Sequence, residues 1–382
     1  MISEHRYDVD IVGTGYRTRP ESGRVTLDES WSPYVQADLT IPLPVDPAVL
    51  AALDPRRPGA RVRLTLTQRF GSGAPIAALS AAWAGMTLAD VSALYAGQTL
   101  AAISEDYGRP YNASGTRPST TRRLNLGLRA ARRRRETGLL DLELASDEAL
   151  LQDYARAATT SQQPDFPTVR SAVDMALAAI GATLTPTTLT GPVEADALFW
   201  EPGVSAWDYV RPIVEAAGLR LYCDERRRWH LVEPLAATEG TLELDEATLT
   251  SHDSELLRDG GWYDAMVVTY RWTDGTGTEQ VRHDVAALPD WTRCGHVEHE
   301  RPYPGPGAAA ALLARARARG RTDAAAAVSS YDVTPGQALD IDGDIDATGL
   351  VTRVEWSMSD DEMTVRSRDL IEDPNAGLPP AS

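Results

Sequence analysis

The sequence predicts a mainly β chain with an α+β insert, in which strand-rich regions at the two ends flank a small helix-plus-hairpin unit. Three observations carry this. Apolar residues recur at every second position in the first and last thirds of the chain. In the middle they recur at every third or fourth position. The strand-like runs are punctuated by 29 glycines and 25 prolines. A length of 382 residues allows two or three domains with substantial cores.

The first third justifies the strands in order. Residues 8–12 and 25–27 are short strand-like pieces. Residues 34–41 alternate Val35, Ala37, Leu39 and Ile41 against Gln36, Asp38 and Thr40, and stop at Pro42 and Pro44. Residues 61–67 alternate strictly, with Val62, Leu64 and Leu66 on one face and Arg61, Arg63, Thr65 and Thr67 on the other, the pattern of a half-buried antiparallel strand. Short strands between Gly and Pro predict a barrel or a sandwich. Charge then segregates: residues 111–135 hold eight arginines and no acid, and residues 136–153 hold six acids and no arginine. Alternating Leu124, Leu126 and Leu128, a bend at 134–138, and alternating Leu140, Leu142 and Leu144 predict a long hairpin with arms of opposite sign. Cross-strand ion pairs of about 0.2–1 kcal/mol each then help to set its register.

In the middle section, residues 167–180 place Val169, Val173, Met175, Ala176, Leu177 and Ile180 at helical spacing, and Gly181 stops the helix. Ser205 is the predicted N-cap of a second helix with an apolar stripe of Trp207, Val210, Ile213 and Val214, ended by Gly218. Strands 219–223 and 229–233, joined by the charged turn 224–228, complete the module. The last third returns to strands: 262–271 with 278–283 pairing back across the turn 273–277, then 326–333, 349–356 and 363–367. One alanine-rich helix interrupts them at 307–320, with arginines in its last turns. The expected division is a first strand-rich domain 1–157, an α/β insert 158–236, a second strand-rich domain with one helix 237–372, and a flexible tail 373–382. No tandem repeat marks a solenoid or propeller.

Composition excludes several chemistries. All 37 basic residues are arginine, against 55 acids, for a net charge of −18. Without lysine there is no Schiff-base lysine, no phosphate-cradling P-loop lysine and no Ser-Lys dyad. An acidic body is repelled by phosphate backbones and anionic lipid, so specific nucleic-acid binding is not expected. Arg132 to Arg135 form the densest basic run, but no aromatic residue is interleaved and acids follow at once. It reads as a solvated hairpin tip or a protein contact. Cys223 and Cys294 are too few for a disulfide framework. Residues 1–15 lack a signal-peptide pattern, and the longest apolar run, 308–314, is far short of the roughly 20 residues that span a bilayer. A soluble product, intracellular where it is made and without a membrane span, is expected.

Four constellations invite chemistry. Cys294, His296 and His299 stand beside Glu298 and Glu300, but on a strand Cys294, His296 and Glu298 share a face while His299 points away. HVEHE is also not the HExxH order. Asp344, Asp346, Thr348, Gly349 and Glu355 fit positions of a calcium-binding EF-hand loop, with Val351 as its apolar residue. That loop needs flanking helices, whereas Pro335 and Gly336 precede it and alternating Leu350, Thr352, Val354 and Trp356 follow as a strand. These aspartates read as a solvated turn. Among 55 acids the sequence offers no filter for a catalytic carboxylate pair. The six histidines (His5, His230, His252, His283, His296 and His299) occur without a GxSxG elbow. No catalytic, cofactor-binding or metal residue, and no cofactor, is therefore expected.

The arrangement of the middle module is more informative. Trp207, Asp208 and Tyr209 open its helix, Ala216, Ala217 and Gly218 close it, and a hairpin runs from Leu219 through the arginine-rich turn to Trp229, His230 and Leu231. This resembles the insert of bacteriophage tail hub proteins, which lies between two barrel domains. Thr334, Pro335, Gly336, Asp342 and Gly343, followed by 349–356 and 363–366, resemble the end of the second barrel. Ser30, Trp31, Tyr34 and Val35, leading into 37–42, are similar to minor tail proteins of phages that infect actinobacteria.

The resemblance implies two β-barrel-like domains flanking the insert and a structural, non-enzymatic baseplate or tail-tip hub. It implies a homotrimer whose two barrels per chain make a pseudo-sixfold ring through which DNA is ejected. A distal tail or tube protein lies above, a spike or fibre protein below, and a tape-measure protein in the lumen. The location is the virion tail tip, after assembly in the host cytoplasm. Two rivals stand beside it: a cell-wall-degrading, glycoside hydrolase-like protein, and a carbohydrate- or receptor-binding tail protein using exposed tryptophans among the nine.

Overall fold

In the computed structural model of the chain, residues 3–57, 59–70, 83, 85, 87, 119–233, 235–245, 248–256, 258, 261–342 and 346–369 are described. The first region folds as strands β1 (Ser3–Ile11), β2 (Arg17–Thr18), β3 (Ser22–Asp28), β4 (Val35–Pro42), β5 (Arg61–Phe70), β6 (Ser119–Arg134) and β7 (Leu139–Ala145), with short helices α1 (Pro47–Ala52) and α2 (Glu148–Asp153). β1 begins well before the expected residue 8 because it pairs with β5 along its whole length. The predicted long hairpin is β6–β7. Its opposite-sign arms meet at Arg132–Glu143, 3.2 Å, and Arg134–Asp141, 2.6 Å.

The middle region forms α3 (Val169–Ala179), α4 (Ala206–Ala216), β8 (Arg220–Cys223) and β9 (Trp229–Val232). Ser205 caps α4 by accepting the Asp208 N–H at 3.0 Å, and Thr168 caps α3 by accepting that of Ser171 at 3.2 Å. The apolar stripes of both helices close on a core of their own, in which Trp200 stacks on Tyr209 and Trp229 is buried.

The last region contributes β10 (Thr241–Asp245), β11 (Leu249–Leu256), β12 (Ala265–Thr273), β13 (Glu279–Ala287), β14 (Cys294–His299), α5 (Ala308–Ala318), β15 (Arg321–Val328), β16 (Ala338–Asp342), β17 (Ala347–Ser357) and β18 (Glu362–Arg368). The strand expected at 326–333 is β15, which starts and ends earlier. Residues 329–333 leave the sheet, and Tyr331 and Val333 turn into the core. The strands of this region divide between two sheets. β12, β13 and β14 make a separate three-stranded sheet that packs with α5 around Met266, Val268, Tyr270 and Leu313, whereas the rest join the first region.

That union is the central feature. The order across the large sheet is β11-β15-β18-β17-β3-β4-β7-β6-β5-β1-β2, antiparallel at each step, with β10 and β16 branching from β17. The two strand-rich ends are hydrogen-bonded through β3 and β17 and share one core that gathers Leu27, Leu64 and Leu126 with Ile341, Trp356 and Val365. β17 is divided lengthwise: its first half pairs with β16, its second half with β3, and β18 runs along its other side.

The sheet is also curled. β1 stands six strand steps from β17, about 29 Å if the sheet were flat. Yet the Tyr7 hydroxyl of β1 donates to Asp361, in the β17–β18 turn, at 2.7 Å, and His5 Nδ1 lies 2.8 Å from the Tyr331 hydroxyl. The first region therefore closes round upon the last in a barrel-like arc. The expected tail 373–382 lies outside the described residues. Among the described residues no helix is long and apolar enough to cross a membrane.

Candidate functional site

The cysteine–histidine cluster lies on β14, where alternation separates it. Cys294, His296 and Glu298 share one face, and His299 lies on the other, its ring 5.4 Å from that of Tyr270. His296 Nε2 is 3.0 Å from Thr269 Oγ1 on β12, which is 3.1 Å from His283 Nδ1 on β13, a polar ladder across three strands. Glu298 pairs with Arg271, and Glu300 is exposed. Burial, then the nearby Arg301 charge, lowers the His299 pKa. Among the described residues no group of three or more His, Cys, Asp or Glu side chains is gathered for a metal ion.

From Ala347 onward the EF-hand-like stretch is also strand. Thr348, Gly349 and Glu355 lie on β17, so Thr348 and Glu355 stand roughly 20 Å apart along it. Glu355 accepts from Arg353 at 2.6 Å and lies 3.5 Å from Arg24, while Asp344 is outside the described residues. The glycine answers to packing: a Cβ on Gly349 would stand 2.7 Å from the Arg368 carbonyl oxygen.

The densest polar arrangement lies where the turn 224–228 of the β8–β9 hairpin docks on the large sheet. Asp224 accepts the N–H groups of Arg226 and Arg228 at 2.9 and 2.8 Å and faces His230 at 3.1 Å. Burial pushes its pKa up, but the bonds from His230 and Arg228 outweigh that and hold it at about 2. Next to it, Glu225 binds Arg122 of β6 at 3.1 Å, and its carbonyl accepts the Asn125 N–H at 2.8 Å. Arg122 is 8% exposed. It also donates to the carbonyls of Val333 and Tyr331, at 2.6 and 3.3 Å, and its guanidinium lies 5.2 Å over the Trp356 ring.

Asp147, just before α2, takes Arg61 at 2.7 Å and Arg227 at 2.8 Å. Its neighbour Glu148 is wholly buried, accepts the Tyr34 N–H, and receives the Ser146 hydroxyl at 2.8 Å. Burial raises its pKa to about 7 against those bonds. These groups bind one another and clamp three chain regions together. Arg122 has a trace in the sequence: it shares the parity of Leu124, Leu126 and Leu128, which puts it on the inward face of β6.

Such a curled antiparallel sheet carrying a helix-plus-hairpin unit recurs in solved tail proteins. The chain is similar over 96% of its length, and 96% of the other's, to the tail protein from Neisseria meningitidis MC58, with a TM-score of 0.56 at 15% identity. It is similar over 97% of its length, and 99% of the other's, to the 43 kDa tail protein of prophage MuSo2 from Shewanella oneidensis, with a TM-score of 0.56 at 10% identity. At such identities the likeness is one of fold. No protein-family model matches the sequence, and no curated protein matches it.

Proposed function

We propose that this chain is a structural hub of a phage tail tip or baseplate, a non-enzymatic homotrimer in which each copy supplies two strand-rich halves, residues 1–157 and 237–372, to a pseudo-sixfold ring. The observation that carries the reading is the joining of both halves in one curled sheet through β3 and β17, in a fold shared end to end with solved tail proteins. Two halves in each of three chains match a hexameric tube protein above, and threefold symmetry matches a trimeric spike or fibre below.

Among the described residues the sheet ends at β11 on one side and β2 on the other, each with its outer edge open, which supports lateral contacts between copies. A net charge of −18 supports a lumen that DNA passes without sticking, with a tape-measure protein in it before ejection. Residues 158–236, with their separate core, form the insert on the outside of this scheme.

Mass photometry of the purified chain tests the reading. It expects a species near three times the 41.3 kDa chain mass, and six-lobed rings in electron micrographs. A chain that stays monomeric at high concentration and alongside its tail partners refutes it.

A further inference from the structure

Where the large sheet, the helix-plus-hairpin unit and α5 meet, a cavity of about 760 Å³ opens. That volume lies in the range of about 300–1,000 Å³ typical of ligand sites. Six arginines line it: Arg220 at the start of β8, Arg315 and Arg319 at the carboxyl end of α5, Arg353 on β17, and Arg366 and Arg368 on β18.

Five carboxylates also line the cavity, Asp28, Glu29, Asp253, Glu255 and Asp323, yet some guanidinium nitrogens are left without partners among the described residues. Glu29 takes Arg368 at 2.8 Å. Glu215 stands 3.9 Å from Arg315 and is shared with Arg211 at the same distance. Arg220 lies 5.1 and 4.6 Å from the ring centroids of Tyr34 and Tyr222 rather than against a carboxylate. The side chains of Arg319 and Arg366 have no ion-pair or hydrogen-bond partner among the described residues. One buried nitrogen on each of Arg220, Arg315 and Arg368 also lacks a hydrogen-bond partner among them. On the cavity floor the register sets Arg366 directly opposite Arg353 of β17, whose own guanidinium is held by Glu355 at 2.6 Å.

Acids flank the arginines on the same sheet, where one cross-strand row runs Asp253, Ala324, Arg366, Arg353 and Asp28. Asp253 and Glu255 of the edge strand β11 are exposed there, in register with Ala324 and Thr322 of β15. This mixed-sign lining selects the ligand. A long polyanion meets Asp253, Glu255 and the net negative body and is repelled. A short peptide offers both kinds of group: carboxylates, which guanidinium forks bind in bidentate fashion, and backbone N–H donors for the flanking acids.

We propose that this cavity docks an acidic peptide segment of another protein, with its Asp or Glu carboxylates on Arg315, Arg319 and Arg366. The proposal does not depend on trimer formation, because binding is read on the chain itself.

The test titrates the full chain into a fluorescein-labelled alternating Glu-Gly hexapeptide and reads anisotropy at low salt. An alternating Lys-Gly hexapeptide and a short single-stranded oligothymidylate serve as parallel probes. The Glu-Gly probe should saturate with a Kd below about 1 mM. Arg319→Ala and Arg366→Ala, both at exposed positions, should each weaken it about tenfold while leaving the thermal melt unchanged. The proposal is overturned if the Glu-Gly probe shows no saturable binding, or if the double variant binds it as well as the parent chain. Tighter binding of the oligothymidylate than of the Glu-Gly probe also overturns it, by assigning the arginines to phosphate.

Discussion

Arg122→Ala probes the clamp between the hairpin turn and the large sheet. In the folded chain this guanidinium donates to Val333 O at 2.6 Å and Tyr331 O at 3.3 Å, pairs with Glu225 at 3.1 Å and covers the Trp356 ring. Truncation leaves two carbonyls without their donor and Glu225, whose side chain is 15% exposed, without its cation. Breaking a buried pair in this way costs about 3–5 kcal/mol, a large part of the roughly 5–15 kcal/mol that holds an ordinary domain together. Arg122→Met keeps the packing of the stem and isolates the charge, and Glu225→Gln keeps an acceptor and should cost less, about 1–2 kcal/mol.

Urea unfolding followed by tryptophan fluorescence is the suitable assay, since Trp356 sits beside the guanidinium. The double variant Arg122→Ala, Glu225→Gln should be less destabilised than the sum of the singles, because both remove one interaction. A loss below about 1 kcal/mol for Arg122→Ala, or strict additivity in the cycle, would falsify the clamp.

Glu148 gives a pH signature. Its pKa is raised from 4.5 to about 7, so the folded chain holds a proton that the unfolded chain releases. The stability it contributes is complete below about pH 4.5 and is lost as pH rises through about 7, a loss of roughly 3 kcal/mol. Glu148→Gln cannot ionise, so the stability gap between variant and parent should change by that amount between about pH 5 and pH 8. A constant gap in thermal melts sinks the assignment. Gly307→Ala should loosen α5 from α4: the glycine sits at a φ of 124°, and an added Cβ would collide with the Ala216 carbonyl oxygen. A cost of about 1–3 kcal/mol is expected by calorimetry, and a neutral result refutes the close contact. Gly349→Ala should cost a similar amount through its clash with β18. Reversing the hairpin charges singly, as in Arg134→Glu, should cost no more than about 1 kcal/mol, because the pair is exposed; swapping both partners should restore the melt.

Strands with one buried face were legible because alternation is a local signal: residues 61–67 and 34–41 fall on β5 and β4 with their apolar parity facing the core. β11 was not legible. Its residues, LTSHDSEL, are mostly exposed on an edge and carry no apolar rhythm. The pairing of β3 with β17 joins Val25 to Trp356, some 330 residues apart, and nothing local announces such a contact. The same holds for the clamp: parity aims Arg122 inward, but its partners come from the β8–β9 turn and from residues 331–333. Strand geometry spreads the side chains of 294–299 over two faces and those of 348–355 along one axis, a separation that the spacing of residue types alone does not display.

β17 gives the molecule a mechanical character. One strand is stitched to β16 and β3 end to end along one margin and to β18 along the other, so twisting the first region against the last loads the β3–β17 bonds while β18 and β16 brace β17 within its own half. Force on either half of the large sheet is thus passed to the other as shear along the β3–β17 hydrogen bonds, the loading direction in which a strand pair resists by straining all its bonds at once.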